Sequence, residues 1–233
     1  MFKFIIVGFM LLFNLQADNK EALDAFKKSD YKRAFELYEK NAKSGDGVAQ
    51  SALSYLYANG LGTKKDIEKS IHWLEEAAKS ENANAQYDLG MFYLRGNNVK
   101  KDSKKAFKLL SKSSEQNNTN AKYDLALMYY NGEGVDLNVT KSAELLESAA
   151  ISGHKIAQQN VGRVYMQLLN FDKAAEWLEK NAADGDESVY YLLAEIYCEQ
   201  EKFNKAKKWA QKAIDKGSKE AEELYKKHKL QDY

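Results

Sequence analysis

The feature that most constrains this chain is its repetition. Ala49, Ala85, Ala121 and Ala157 stand 36 residues apart, and Val189 and Ala221 continue the series at intervals of 32. A period of this size means that one supersecondary unit is used repeatedly, so the number of domains follows from the repeat and not from length.

The same pattern runs forward from each of these positions. Four residues on stand Leu53, Leu89, Leu125, Val161 and Leu193; one further are the small or near-small residues Ser54, Gly90, Ala126, Gly162 and Ala194; then come Tyr57, Tyr93, Tyr129, Tyr165 and Tyr197. Apolar residues at offsets zero, four and eight form one stripe on an α-helix, and a small residue at offset five leaves a notch where a second helix approaches closely. That second helix is marked by Arg33, Lys69, Lys105, Lys141, Lys173 and Lys205, each followed four residues later by Leu37, Trp73, Leu109, Leu145, Trp177 or Trp209. Turns such as 44–47, 152–154 and 184–186 carry a Gly able to take positive φ and end the second helix.

Neither helix of such a pair can bury its stripe alone, so each pair must stack on the next. The expectation is an all-α solenoid of about six antiparallel helix pairs, with units at 18–47, 48–83, 84–119, 120–155, 156–187 and 188–219, and a capping helix in 220–233. Proline is absent and 44% of residues are hydrophobic, which permits helix almost everywhere and exceeds what a disordered chain carries.

The formal net charge is +1, so no broad field would attract nucleic acid, and Lys runs such as Lys100-Lys101 and Lys207-Lys208 read as solvated helix faces. At the N-terminus, Lys3 precedes an apolar run from Phe4 to Phe13, followed by Leu15-Gln16-Ala17 and a polar stretch. This reads as a secretory signal peptide over 1–17, and the apolar run is shorter than the roughly 20 residues of a spanning helix. The expectation is export, to the periplasm or beyond it, without stable membrane insertion once the leader is removed. Cys198 is the only cysteine, so stability must come from packing and not from an internal disulfide.

Leu89 to Tyr93 (Leu-Gly-Met-Phe-Tyr), Asn131 to Val135 (Asn-Gly-Glu-Gly-Val), Lys69 to Ala78 and Ala58 to Gly62 together resemble the Sel1-like repeat family, a relative of the tetratricopeptide repeat. The resemblance covers nearly all of the chain after the leader and implies a right-handed superhelical arrangement. Three units depart from it: Ser29-Asp30-Tyr31, Leu169-Asn170-Phe171 and Glu201-Lys202-Phe203 replace the Gly-x-Gly loop, as in plain tetratricopeptide hairpins. In another unit Asn98 stands where the second Gly belongs, and Asn tolerates left-handed φ. Function by resemblance is that of a non-catalytic scaffold whose partner is a protein or peptide, with no cofactor.

One cysteine-rich branch of secreted members is described as β-lactam-binding or hydrolysing, which makes a β-lactamase the alternative reading; that branch carries a Cys pair in each unit, absent here. A secreted factor recognising a host or cell-wall component is a further alternative. A serine β-lactam enzyme needs Ser-x-x-Lys with Ser-Asp-Asn and Lys-Thr-Gly elements. Ser29-x-x-Lys32 and Ser152-x-x-Lys155 fit the first spacing, but neither of the other elements occurs. His72, His154 and His228 lie in different units without the i, i+4 spacing of a zinc helix, so no metal site and no catalytic residue is assigned. Asn117-Asn118-Thr119 and Asn138-Val139-Thr140 are N-glycosylation sequons, each with an acid two residues before the acceptor, Glu115 and Asp136, as some bacterial oligosaccharyltransferases require.

By similarity to tetratricopeptide solenoids, the first helix of each pair lines the concave face, and offsets two, six, nine and ten point into it. Those positions hold Tyr55, Tyr87, Arg95, Tyr123, Tyr130, Gln159, Arg163 and Tyr191. Tyr and Arg are enriched at interface hot spots, which suggests a groove for an extended peptide or a helix.

Overall fold

A computed structural model describes residues 17–233; the leader expected over 1–17 falls, but for Ala17, outside the described residues. The described residues form thirteen α-helices and no strand. In chain order they are α1 (Ala17–Lys27), α2 (Tyr31–Lys43), α3 (Gly47–Asn59), α4 (Ile67–Lys79), α5 (Ala83–Arg95), α6 (Ser103–Glu115), α7 (Thr119–Asn131), α8 (Val139–Ile151), α9 (Lys155–Gln167), α10 (Phe171–Ala183), α11 (Tyr190–Glu199), α12 (Phe203–Asp215) and α13 (Lys219–Lys227). They divide into two compact units. One ends at Met128 and includes Gly132–Asp136; the other comprises Tyr129–Asn131 and Leu137–Tyr233.

Short polar side chains start most of the helices. Asp30, Asp66, Asp102, Asn138 and Asn170 cap second helices, and Asp46, Asn82, Asn118, His154 and Ser218 cap first helices. Each accepts the backbone N–H three residues on, satisfying a donor that has no partner inside the helix. The caps recur with the repeat, so helix starts are fixed locally before any packing occurs.

The repeat alanines Ala49, Ala85, Ala121, Ala157 and Ala221 are all buried, as are Leu53, Leu89, Leu125, Val161 and Leu193. In the first unit one cluster joins Ala34, Tyr38, Ala49, Leu53 and Tyr57 across α2 and α3, and another joins Met91, Ala106, Leu110, Ala121 and Met128 across α5, α6 and α7. Packing of this kind stabilises by about 25 cal/mol for each Å² of apolar surface removed from water. The notch positions do what the sequence suggests. Ser54 Oγ lies 3.1 Å from Ser70 Oγ, and a Cβ on Gly162 would crowd Leu178 at 2.8 Å.

Helix pairs are joined in two ways. Loops 60–66, 96–102 and 132–138 follow α3, α5 and α7, whereas α1, α9 and α11 turn within 28–30, 168–170 and 200–202. Asn98 takes φ +58, the left-handed conformation expected of it. The last helix begins at Lys219, and the chain then folds back so that Leu230 is fully buried and Tyr233 stacks on Phe203 at 4.6 Å.

Candidate functional site

The residues expected on the binding face all stand on first helices. In the first unit, Tyr55 on α3 is half-buried, with its ring edge-on to Phe26 at 6.0 Å. Tyr87 on α5 packs against the Met91, Leu110 and Met128 cluster, and its hydroxyl donates to the Asp124 carboxylate on α7 at 2.9 Å. Burial first, then the charge of Asp124, pushes the Tyr87 phenol well above the usual range. Tyr123 on α7 is half-buried, and burial followed by Asp124 raises its phenol too. Arg95, the last residue of α5, is exposed and has no hydrogen bond or ion pair among the described residues.

In the second unit, the Tyr130 hydroxyl donates to Gln167 at 3.0 Å. Arg163 donates to the Gln159 carbonyl and to Ser188 Oγ, both at 2.9 Å, while the Gln159 residue itself is exposed. Tyr191 is half-buried; burial, then Glu195, Glu220 and Glu223 in part, raises its phenol. Tyr87, Tyr130 and Arg163 thus spend their polar ends on neighbouring groups of their own unit and offer mainly ring or stem surface to a partner.

Sequence reasoning did not find Asp88. In the first unit Tyr87, two past its repeat Ala, bonds Asp124, three past the next. One repeat earlier those two positions hold Ser51 and Asp88, and a Ser side chain is too short to take the place of Tyr. Ser51 Oγ is buried without a hydrogen-bond partner, and the partly buried Asp88 carboxyl has none among the described residues. Burial pushes the Asp88 carboxyl up to about 7. A partial signal was available: at this offset Ala52, Asn160 and Leu192 carry no charge, and only Asp88 and Asp124 do, but Asp88 lacks a Tyr two past the preceding repeat Ala.

Also unread from sequence was the environment of the periodic Tyr residues. Tyr165 donates to Glu147 at 2.7 Å, Lys173 donates to the same carboxylate at 2.6 Å and to the Tyr165 hydroxyl at 3.0 Å, and Trp177 Nε1 donates to the Glu147 carboxylate at 3.3 Å. Burial pushes the Glu147 carboxyl up, but these three donors outweigh it and hold it below the usual range. Tyr93 with Glu75, and Tyr197 with Glu179, repeat the contact at 3.3 and 2.6 Å. These are structural latches between neighbouring pairs.

No group of three or more His, Cys, Asp or Glu among the described residues could hold a metal ion, and no described helix is long and apolar enough to cross a membrane. His154 serves as a helix cap through Nδ1, and Ser152 Oγ donates to the Ser148 carbonyl. Cys198 is a buried thiol, raised by burial and then by Glu199. Asn117 lies exposed in the turn between α6 and α7, and Asn138 lies exposed at the cap of α8.

The Sel1 repeat model matches residues 24–46, 47–82, 83–118, 119–154, 156–186 and 188–218. The chain belongs to the Sel1 repeat family. Among solved structures, a Sel1 repeat protein from Oxalobacter formigenes is 26% identical, with a TM-score of 0.65 over 87% of this chain and 84% of that one. A protective antigen of uropathogenic Escherichia coli strains, c5321, is also 26% identical with a TM-score of 0.47, and the match covers 86% of this chain but 54% of the antigen. Cysteine rich protein B of Helicobacter pylori is 23% identical with a TM-score of 0.41, covering 60% of this chain and 93% of that one. A search of curated proteins returns no match. The fold is a Sel1 and tetratricopeptide-like helical repeat, a fold commonly used as a protein-interaction scaffold.

Proposed function

We propose that this Sel1 repeat protein is an exported, periplasmic, non-catalytic adaptor that binds a peptide or protein segment along its first helices. The observation that carries this reading is Asp88. A partly buried carboxyl without a partner lowers the stability of the free protein, because its charge is desolvated and uncompensated. Packing does not use it. It is adjacent in sequence to Tyr87 and shares α5 with Arg95, while Tyr55 and Tyr123 stand on the preceding and following first helices. Half-buried Tyr rings provide contact area at low entropic cost, and Asp88 and Arg95 supply opposite charges to orient a segment. On the second unit, taken by itself, Tyr130, Gln159, Arg163 and Tyr191 are the corresponding candidates. The reading of export is supported by the composition of residues 1–17.

The test is site-specific photocrosslinking in native cells. A photoreactive residue at Tyr55, Arg95 or Tyr123 should give one discrete adduct, identified by mass spectrometry, and the same residue at the exposed second-helix positions Glu68 and Lys104 should give none. Adducts of equal yield from both sets, or none from the first, would remove the assignment.

A further inference from the structure

The two sequons look alike in sequence but sit on different backbone. In the first, Glu115 is the last residue of α6 and Thr119 the first of α7, with only 116–118 between them. Asn117 is held at φ +64, its N–H donates to the Ser114 carbonyl, and its Oδ1 accepts from Lys122 Nζ at 3.0 Å. The central Asn118 is tied on both sides: Oδ1 caps Ala121, and Nδ2 donates to Asn84 at 3.2 Å. Presenting this sequon to an enzyme requires a left-handed residue to flip and two helix ends to open.

The second sequon needs much less. Residues 136–138 precede α8 outside any helix, and Asn138 is already extended at φ −149, ψ 92. Asp136, Leu137, Asn138 and Thr140 are all exposed, Leu137 at 63%. Neither the Asp136 carboxylate nor the Thr140 hydroxyl has a hydrogen bond or ion pair among the described residues. Asn138 engages its Oδ1, which accepts the Lys141 N–H at 2.8 Å, while its Nδ2, the atom that carries an N-linked glycan, makes no contact of this kind. The cap and the glycan therefore use different atoms of one amide, and what has to yield is the first turn of α8 and the bond from the Asn138 N–H to the Tyr129 carbonyl, with no left-handed residue to flip.

We propose that Asn138, and not Asn117, is the acceptor for N-linked glycosylation of the folded protein. The enzyme class is an oligosaccharyltransferase that reads the acid at position minus two, and the donor is an oligosaccharide carried on a lipid pyrophosphate. In the reaction, Asn138 Nδ2 attacks the anomeric carbon, a C–N bond forms, the C–O bond to pyrophosphate breaks, the lipid pyrophosphate leaves, and one amide proton passes to a base of the enzyme. In the cell this requires the export proposed above; the experiment does not.

The purified full chain is incubated with a purified acid-requiring oligosaccharyltransferase and a lipid-pyrophosphate-linked oligosaccharide, and glycopeptides are mapped by mass spectrometry. One glycan is expected, on Asn138, with initial rates more than about ten-fold above Asn117, which is exposed but can be presented in an extended conformation only after local opening. Asn138→Asp keeps a capping oxygen but has no amide, so it should fold and accept nothing at this site; Asp136→Asn should abolish modification there. Synthetic peptides covering 113–121 and 134–142 should be modified at comparable rates, which locates the choice in the fold. Modification of the folded chain at Asn117 at an equal or greater rate, no modification at all, or the same preference already present in the peptides would overturn the proposal.

Discussion

The hairpins α3–α4 and α5–α6 and the hairpins α9–α10 and α11–α12 bury the same stripe, yet they hold their neighbours differently. The long hairpins spend four extra residues on a loop, and in α3–α4 that loop lands on the preceding pair: a Cβ at Gly62 would overlap the carbonyl oxygen of Tyr31. The tight hairpins have no such loop, and they place Leu169 and Glu201 at φ +56, a conformation costing about 1 kcal/mol for a side chain with Cβ. Their compensation is polar. Lys173 sits eight residues after Tyr165 and closes the short contact with Glu147, whereas Lys105, twelve residues after Tyr93, reaches only the ring face at 5.1 Å. The lesson is that repeat length and repeat core are separable: a loop can be shortened if a charged latch replaces the backbone contact it made.

The largest test of this contrast is Gly62→Ala. Both the positive φ and the overlap with Tyr31 oppose a side chain, so the loss should be about 3 kcal/mol or more in urea denaturation. Gly45→Ala, at φ +93 with nothing within 4 Å of an added Cβ, should lose only about 1 kcal/mol. Equal losses would mean that the loop contact holds nothing.

Next in size is the latch. Glu147→Gln should cost about 2 kcal/mol, because three donors lose a charged acceptor, and Glu75→Gln only a few tenths, since Tyr93 meets it at 3.3 Å. A double-mutant cycle with Tyr165→Phe should show coupling, and its counterpart with Tyr93→Phe should not. If the two cycles agree, the long and tight hairpins are not distinguished by their latches.

The smallest effect sharpens the comparison from the other side. Asp88 lies on α5 of a long hairpin, and the tight α11 carries Leu192 at the same offset. Its carboxyl is pushed up from 3.8 to about 7 in the folded chain, so the folded state holds its proton more tightly than the unfolded one. Stability therefore falls as pH rises from about 4 through about 7, and stays low above that. Asp88→Asn should stabilise by about 1 kcal/mol at pH 8, after allowance for solvent screening, and by nothing below pH 4. A gain that is the same at both pH values would show that Asp88 is not desolvated.

Much of this was legible in the sequence because it is local. The Ala and Leu series, the notches at Gly90 and Gly162 and the left-handed Asn98 all follow from helix periodicity and single-residue conformational preference. The Gln at offset one in three units went unread, because its partner lies across a turn in the preceding helix: Gln50, Gln86 and Gln158 each donate to a carbonyl eight residues back. Asp88 was hidden for a different reason. Its partnerless state depends on Ser51 in the preceding pair, and a short side chain reads as harmless until the two helices are stacked.

The chain by itself determined that it would be helical, repeated, and notched where helices meet, since each of those properties is set within four residues or by the recurrence of one unit. Only the tertiary structure decided which tyrosine hydroxyls are consumed, that Glu147 gathers three donors while Glu75 gathers one, and that one sequon holds its acceptor Asn in the left-handed region while the other holds it extended. Those outcomes join residues 18, 26, 30 and 37 positions apart or turn on how a backbone segment is held, and helix stacking sets both.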